Sequence, residues 1–193
     1  MILVVPVFLA LALGLVLGGR LERLAAFRPR LGWLVPAAFA LQVAAFPFKW
    51  LPWTTQETLA TVLWLVSFGL LVVFAWSNRK LAGVPVVAAG LLSNIVAVGV
   101  NGGSMPTLPS ALAALDPTYV VANNSSFDTS PNLAWLVDRW AVPDWSPVGN
   151  VFSIGDIVIA VGIMVVVLAG MGARRPGLAS NESCADDGAP HGV

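Results

Sequence analysis

Seven positions in an otherwise apolar chain could do chemistry together: Asn94, Asn101, Gly102, Gly103, Ser104, Ser153 and Asp156. Asp156 is an acid that opens a long apolar run, Ile157 to Ala173. A carboxylate there is costly unless it is hydrated, paired or seated at a helix N-terminus. A helix N-terminus stabilises it by about 0.3–1 kcal/mol. Asp156 therefore has a purely structural reading as a helix cap, with Ser153 as a second cap candidate. The other reading is a binding or catalytic site. Asn101-Gly102-Gly103-Ser104 makes a tight turn with exposed N–H groups, able to hold an anion or a carbonyl oxygen. Asn94 lies about two helical turns before Asn101, so one helix would place both on one face. The structural reading of Asn94 is an interhelical hydrogen bond.

Membrane-length helices must position these residues. Crossing the hydrocarbon takes about 20 mostly apolar residues. Apolar runs of that order occupy residues 1–19, 31–49, 58–78, 81–100 and 151–172. The expected fold is all-α: a polytopic membrane helix bundle with five transmembrane helices. One domain, residues 1–172, carries them, and 173–193 reads as a disordered cytoplasmic tail. Pro36 and Pro47 fall inside the second run, near its ends, where neighbouring helices can satisfy the freed carbonyls. Nothing basic precedes the first run and Gly18-Gly19-Arg20 follows it, so it reads as a retained span, not a signal peptide. Arg20, Arg23, Arg28 and Arg30 follow the first run, Arg79 and Lys80 the third, Arg174 and Arg175 the fifth. Only Lys49 and Arg139 fall on the other side. Positive loops favour the cytoplasm, which puts the N-terminus outside and the C-terminus inside. Trp33, Trp50, Trp53 and Trp76 lie near run ends, where indoles favour the headgroup layer.

The outer segment, 101–150, is too long for a turn and too apolar for a linker. Ser130-Pro131 reads as an N-cap and a first-turn proline. Leu133, Leu136, Val137 and Trp140 follow at helical spacing. The expectation is a short amphipathic helix over 132–140, lying on the outer leaflet. Pro143, Pro147 and Gly149 break the chain before the last run. Trp135, Trp140 and Trp145 read as interfacial anchors.

Composition narrows the function classes. Of 193 residues, 58% are hydrophobic and 10% charged, against about 25% charged in a soluble domain. Zero net charge leaves no basic field to recruit nucleic acid. His191 is the only histidine and Cys184 the only cysteine. With that histidine near the end of the sequence, a histidine-based triad or a multi-histidine metal site is not expected, and one cysteine cannot form an internal disulfide. No zinc-type spacing, P-loop or GxGxxG occurs, so no metal or cofactor is expected. The expected partner is the lipid bilayer.

Three features together resemble an uncharacterised domain-of-unknown-function family of small bacterial multi-pass membrane proteins. They are the apolar start running into an Arg-rich loop, the string NGGSMP at 101–106, and FSIGD at 152–156. The resemblance covers nearly all of the chain. It implies a bacterial plasma membrane location and no particular activity. A second resemblance is local. Phe152-Ser153-Ile154-Gly155-Asp156-Ile157-Val158-Ile159-Ala160-Val161-Gly162 is similar to F-N-x-A-D-x-x-I-x-x-G, which opens the final span of the lipoprotein signal peptidases, intramembrane aspartyl peptidases. Phe, Asp, Ile and Gly match in register. That family's preceding span carries G-N-x-x-D-R. Ser93-Asn94-Ile95-Val96-Ala97-Val98 keeps its Asn and has Ala97 where the second Asp would stand. An aspartyl peptidase needs two neighbouring carboxylates, one protonated and one not. The resemblance makes Asp156 one of them. Asp116, Asp128 and Asp138 are the outer-segment acids available as the other.

Three functions follow. In the first, no catalysis is assigned. An outer-face pocket of Asn101, Gly102, Gly103, Ser104 and Asp156 binds a lipid headgroup, a peptide or a small molecule. The second is a peptidase-like enzyme of the outer leaflet with Asp156 catalytic, or its inactive relative. The third is a small transporter with Gln42 and Asn94 along its path, disfavoured because no acid or base lies deep in the first four runs. A second carboxylate near Asp156 separates enzyme from binder.

Overall fold

The computed structural model describes residues 4–46, 54–113, 125–142 and 150–173. Lys49, Trp50, Trp53, Asp116, Pro143, Trp145, Pro147, Gly149 and the tail beyond Ala173 lie outside these described residues. In chain order the elements are α1 (Val4–Val16), α2 (Leu21–Ala26), α3 (Leu34–Ala45), α4 (Glu57–Ser77), α5 (Val84–Val100), β1 (Met105–Thr107), α6 (Pro109–Leu112), β2 (Ser125–Phe127), β3 (Trp140–Val142), β4 (Asn150–Phe152) and α7 (Ile154–Met171).

Each of the five apolar runs carries one helix: α1, α3, α4, α5 and α7. Thr58–Ser77 of α4 and all of α7 are long and apolar enough to cross a membrane; the apolar stretches in α1, α3 and α5 are shorter. The first helix ends at Val16, short of the expected residue 19, and part of the Arg-rich loop after it forms the separate α2. The Arg20 N–H there donates to the Met171 carbonyl at 2.9 Å, satisfying an orphan acceptor at the end of α7.

The helices pack as a row: α3 on α4, α4 on α5, α5 on α7, and α7 on α1 and α2. The approach of α5 to α7 is backbone to backbone. A Cβ on Gly90 would stand 2.6 Å from the Gly155 carbonyl oxygen, and one on Gly162 would stand 2.6 Å from the Val87 nitrogen. Such closeness needs residues without side chains. On the flank of α7, Ala10, Val167 and Met171 are buried with Leu24 and Ile163 against them. The outward faces are apolar: Phe8, Val16, Phe39, Leu65, Trp76 and Leu92 are all exposed.

A small strand layer covers one end of α5 and α7. β1 runs parallel to β2, with Met105 opposite Ser125. β3 runs antiparallel to β4, with Trp140 opposite Phe152, and their rings stack at 5.7 Å. A parallel bridge joins Thr107 to Asp138. Beneath this layer Ala97, Val98, Met105 and Leu136 form a buried cluster, with Trp64 packed on it.

The amphipathic helix expected over 132–140 is not formed. Residues 132–136 make a turn with Leu133 at φ 51°, and Trp140 already belongs to β3. A leucine in the left-handed region stops a right-handed helix. The backbone groups beyond it go to the strand layer instead. Asp138 N–H donates to the Pro106 carbonyl (3.0 Å), Leu108 N–H to the Asp138 carbonyl (2.9 Å), and Arg139 N–H to the Phe152 carbonyl (3.2 Å). Leu136 and Val137 are buried by the fold-back of this ladder, not by a helix face. The last run is likewise shorter than expected: residues 150–152 are strand and the helix opens at Ile154.

Gly162→Val and Gly90→Val should each destabilise the α5–α7 contact by about 1–3 kcal/mol, the usual cost of overpacking. Gly69→Ala is the control, because nothing lies within 4 Å of its missing Cβ. Thermal unfolding in detergent would read the difference. Valine variants as stable as the parent would refute the close approach.

Candidate functional site

The N-terminus of α7 builds the first part of the site. Ser153 is its N-cap in extended backbone (φ −103°, ψ 173°) and accepts the Asp156 N–H on its hydroxyl at 3.2 Å. Asp156 Oδ2 reciprocally accepts the Ser153 N–H at 2.9 Å, completing a capping box. The cap reading of Asp156 is thus present, but it uses one carboxylate oxygen. The other, Oδ1, accepts Asn94 Nδ2 at 3.0 Å from α5. The Ser153 hydroxyl lies 3.0 Å from Asn94 Oδ1 and 2.9 Å from Asp156 Oδ2, so its one proton serves two acceptors. Asn94 and Ser153 are both buried. Gly155 makes this meeting possible, since a Cβ there would occupy the place of the Asn94 side chain.

The strand layer supplies a second carboxylate. Asp138 is 6% exposed, and its main chain is held by Pro106 and Leu108. Burial, and secondarily the charge on Asp156, push its carboxyl up from 3.8 to about 7. Both causes oppose ionisation. Directly paired residues project to one face of a ladder, so Thr107 shares the face of Asp138. The Thr107 hydroxyl is fully buried and without a hydrogen-bond partner, as is the hydroxyl of Ser93, the neighbour of Asn94. A buried hydroxyl is normally satisfied, and among the described residues these two have no partner. Two carboxylates whose environments differ can act as acid and base. Among the described residues no group of three or more His, Cys, Asp or Glu side chains gathers to hold a metal ion.

The structure brings Asn94, Ser153 and Asp156 together and gives a different task to the glycine turn. Asn101 Nδ2 donates to the Ala97 carbonyl (2.7 Å) and the Asn132 carbonyl (3.0 Å), and Asn101 Oδ1 accepts the Asn132 N–H (2.8 Å). Gly102 and Gly103 sit at φ 74° and 95°, and Gly103 N–H reaches the Val98 carbonyl at 3.0 Å. This is a left-handed glycine ending of α5. Ser104 Oγ meets Ser126 Oγ at 2.8 Å. The turn thereby anchors the segment that carries Asp138 and makes no hydrogen bond to Asp156 among the described residues. Asp128, another of the outer acids, accepts the Ser130 N–H at 2.8 Å in an exposed turn. Thr107 was not legible in the sequence, because its role follows from a pairing between segments distant in the chain.

The raised Asp138 makes stability depend on pH. Its folded value lies above its unfolded one, so its stabilisation is complete below about pH 4 and is lost as pH rises through about 7. Detergent-solubilised protein should unfold more easily across that window. Asp138→Asn should flatten the slope, and Asp156→Asn should move its upper edge down. A pH–stability curve for Asp138→Asn parallel to the parent's would refute the assignment.

Comparison with known proteins yields two matches. The model of a family of unknown function, DUF5317, matches residues 27–168. An uncharacterized protein of Thermotoga maritima is 27% identical over 165 residues, covering 84% of this chain and 89% of that protein. No solved structure matches. Neither match carries a peptidase name or any other activity. With the family model spanning α3 to α7 and both halves of the site, the chain belongs to the DUF5317 family.

Proposed function

We propose that the chain is a bacterial plasma-membrane protein with five spans, whose outer face carries a two-carboxylate acid–base site hydrolysing an ester or amide bond in a membrane-anchored peptide or lipid. The observation that carries the chemistry is the buried Asp138 carboxyl, raised to about 7 beside the charge of Asp156. Asp156, with donors on both oxygens, is the base. It takes a proton from a water whose oxygen attacks the substrate carbonyl carbon. Protonated Asp138 donates to the carbonyl oxygen. When the tetrahedral species collapses, the bond to the amine or alcohol breaks and the leaving group takes a proton from the pair. Asn94 and Ser153 are positioning residues for Asp156.

The membrane reading is supported by exposure. Only 17% of the apolar window of α4 and 28% of that of α7 are buried, unlike the core helices of a water-soluble protein. The exposed apolar faces of α1, α3 and α5 continue the same surface. The transporter reading has less support. Gln42 donates to Ser67 Oγ at 3.2 Å, and Asn94 holds Asp156, so both polar groups are engaged in helix contacts. A pocket that only binds a headgroup, peptide or small molecule would use the same polar groups but show no turnover.

Two measurements test this reading. With purified protein in liposomes and a fluorogenic peptide tethered to a single membrane anchor, Asp138→Asn and Asp156→Asn should each lower hydrolysis by about 10²–10⁴-fold. Wild-type activity should fall as pH rises through about 7, where Asp138 loses its proton. Turnover that survives both substitutions would overturn the dyad; no turnover with intact, pH-dependent peptide binding would favour the binder. For topology, a reporter active only outside the membrane should work when fused after Ser126 and fail after Ala179. Activity at both, or only after Ala179, would overturn the orientation.

A further inference from the structure

We infer that the end of the molecule opposite the carboxylate pair binds the phosphate headgroup of an anionic phospholipid. The loop before α3 and the turn between α4 and α5 enclose a cleft of about 300 Å³, lined by Arg28, Arg30, Asn78, Arg79 and Lys80 among others. The cleft is preformed through the main chain. Buried Asn78 donates Nδ2 to the Arg30 carbonyl at 2.7 Å and accepts the Arg30 N–H on Oδ1 at 2.8 Å. The two cationic loops are thereby fixed against each other without using a charged group.

Among the described residues the charges in the cleft lack a counter-ion. Arg28 and Arg79 reach backbone carbonyls, of Ala25 and Trp76, which do not neutralise them. Among the described residues no carboxylate pairs with Arg28, Arg30, Arg79 or Lys80. A phosphate offers several oxygens to guanidinium forks and a point charge to an ammonium. The surrounding aromatic residues indicate depth. The Arg79 guanidinium lies 4.8 Å from the Trp76 ring centroid, and Trp76 and Trp33 are 70% and 64% exposed. Exposed indoles settle at the headgroup level of a bilayer, where lipid phosphates lie. Basic pockets between helices at that level suit anionic headgroups. The inference rests on the membrane reading above and is independent of the acid–base chemistry.

The test uses full-length protein in detergent, titrated with phosphatidylglycerol, phosphatidylcholine and inorganic phosphate and followed by native mass spectrometry. Phosphatidylglycerol should be retained in preference to phosphatidylcholine. Arg30→Gln with Lys80→Gln should weaken that retention about twenty-five-fold, at roughly fivefold per cation. The Asn78 bonds are to the Arg30 main chain, so this variant keeps the cleft. Arg20→Gln, outside the cleft, should change nothing. Equal retention of both lipids, or no effect of the double substitution, would overturn the site while leaving the membrane reading intact. Binding of inorganic phosphate without the lipid would overturn the lipid as source. Tighter lipid binding after truncation at Ala173 would identify the acidic tail, with Glu182, Asp186 and Asp187, as the resident anion instead.

Discussion

The distance between α5 and α7 governs the end of the molecule that carries the strand layer. Gly90 lies against the Gly155 carbonyl and Gly162 lies against Val87, so two backbones meet where side chains would normally intervene. Close van der Waals contact between the two backbones holds them together. That contact brings the Asn94 amide to the Asp156 carboxylate at 3.0 Å. It also sets the ends of α5 and α7 so that the strand layer can close over both. β1 leaves from α5 and β4 leads into α7; Asp138 is bonded to Pro106 and Leu108 on the first side, and its neighbour Arg139 to Phe152 on the second.

The two ends of the molecule handle charge in opposite ways. At the strand-layer end one acid is enclosed. Asp138 has lost most of its contact with water and keeps its proton to higher pH. At the other end the cations are many and sit around an open cleft. Among the described residues that cleft gathers four cations, Arg28, Arg30, Arg79 and Lys80, in a chain of zero net charge.

Much of this was legible in the residues. The five apolar runs marked five helices, because a run of uncharged residues leaves the backbone no way to satisfy itself but helically. Asn94, Ser153 and Asp156 stood out because a polar group in such a run needs a partner, and they partner one another. The outer segment was less legible. Leu133, Leu136 and Val137 have helical spacing, yet Leu133 adopts φ 51° and the following residues pair as strands. Periodicity records which residues are buried, and here the burying surface is a folded-back ladder and not a flat leaflet. The glycine turn was recognised as a turn, but its partner, Asn132, lies far along the chain. Asp138 stood among three acids with nothing local to select it. Selection came from a pairing to Thr107 that no short string encodes.

The ladder holds Asp138 by its peptide groups alone. Pro106 accepts its N–H and Leu108 donates to its carbonyl, and neither bond asks what the side chain is. The scaffold and the chemistry at this position are therefore separable. An asparagine or a leucine of similar size would leave the strand pairing and the α5–α7 contact as they are, and only the acid would be gone. A family built on this plan can hold members that share one architecture and differ in whether this one buried position carries an acid.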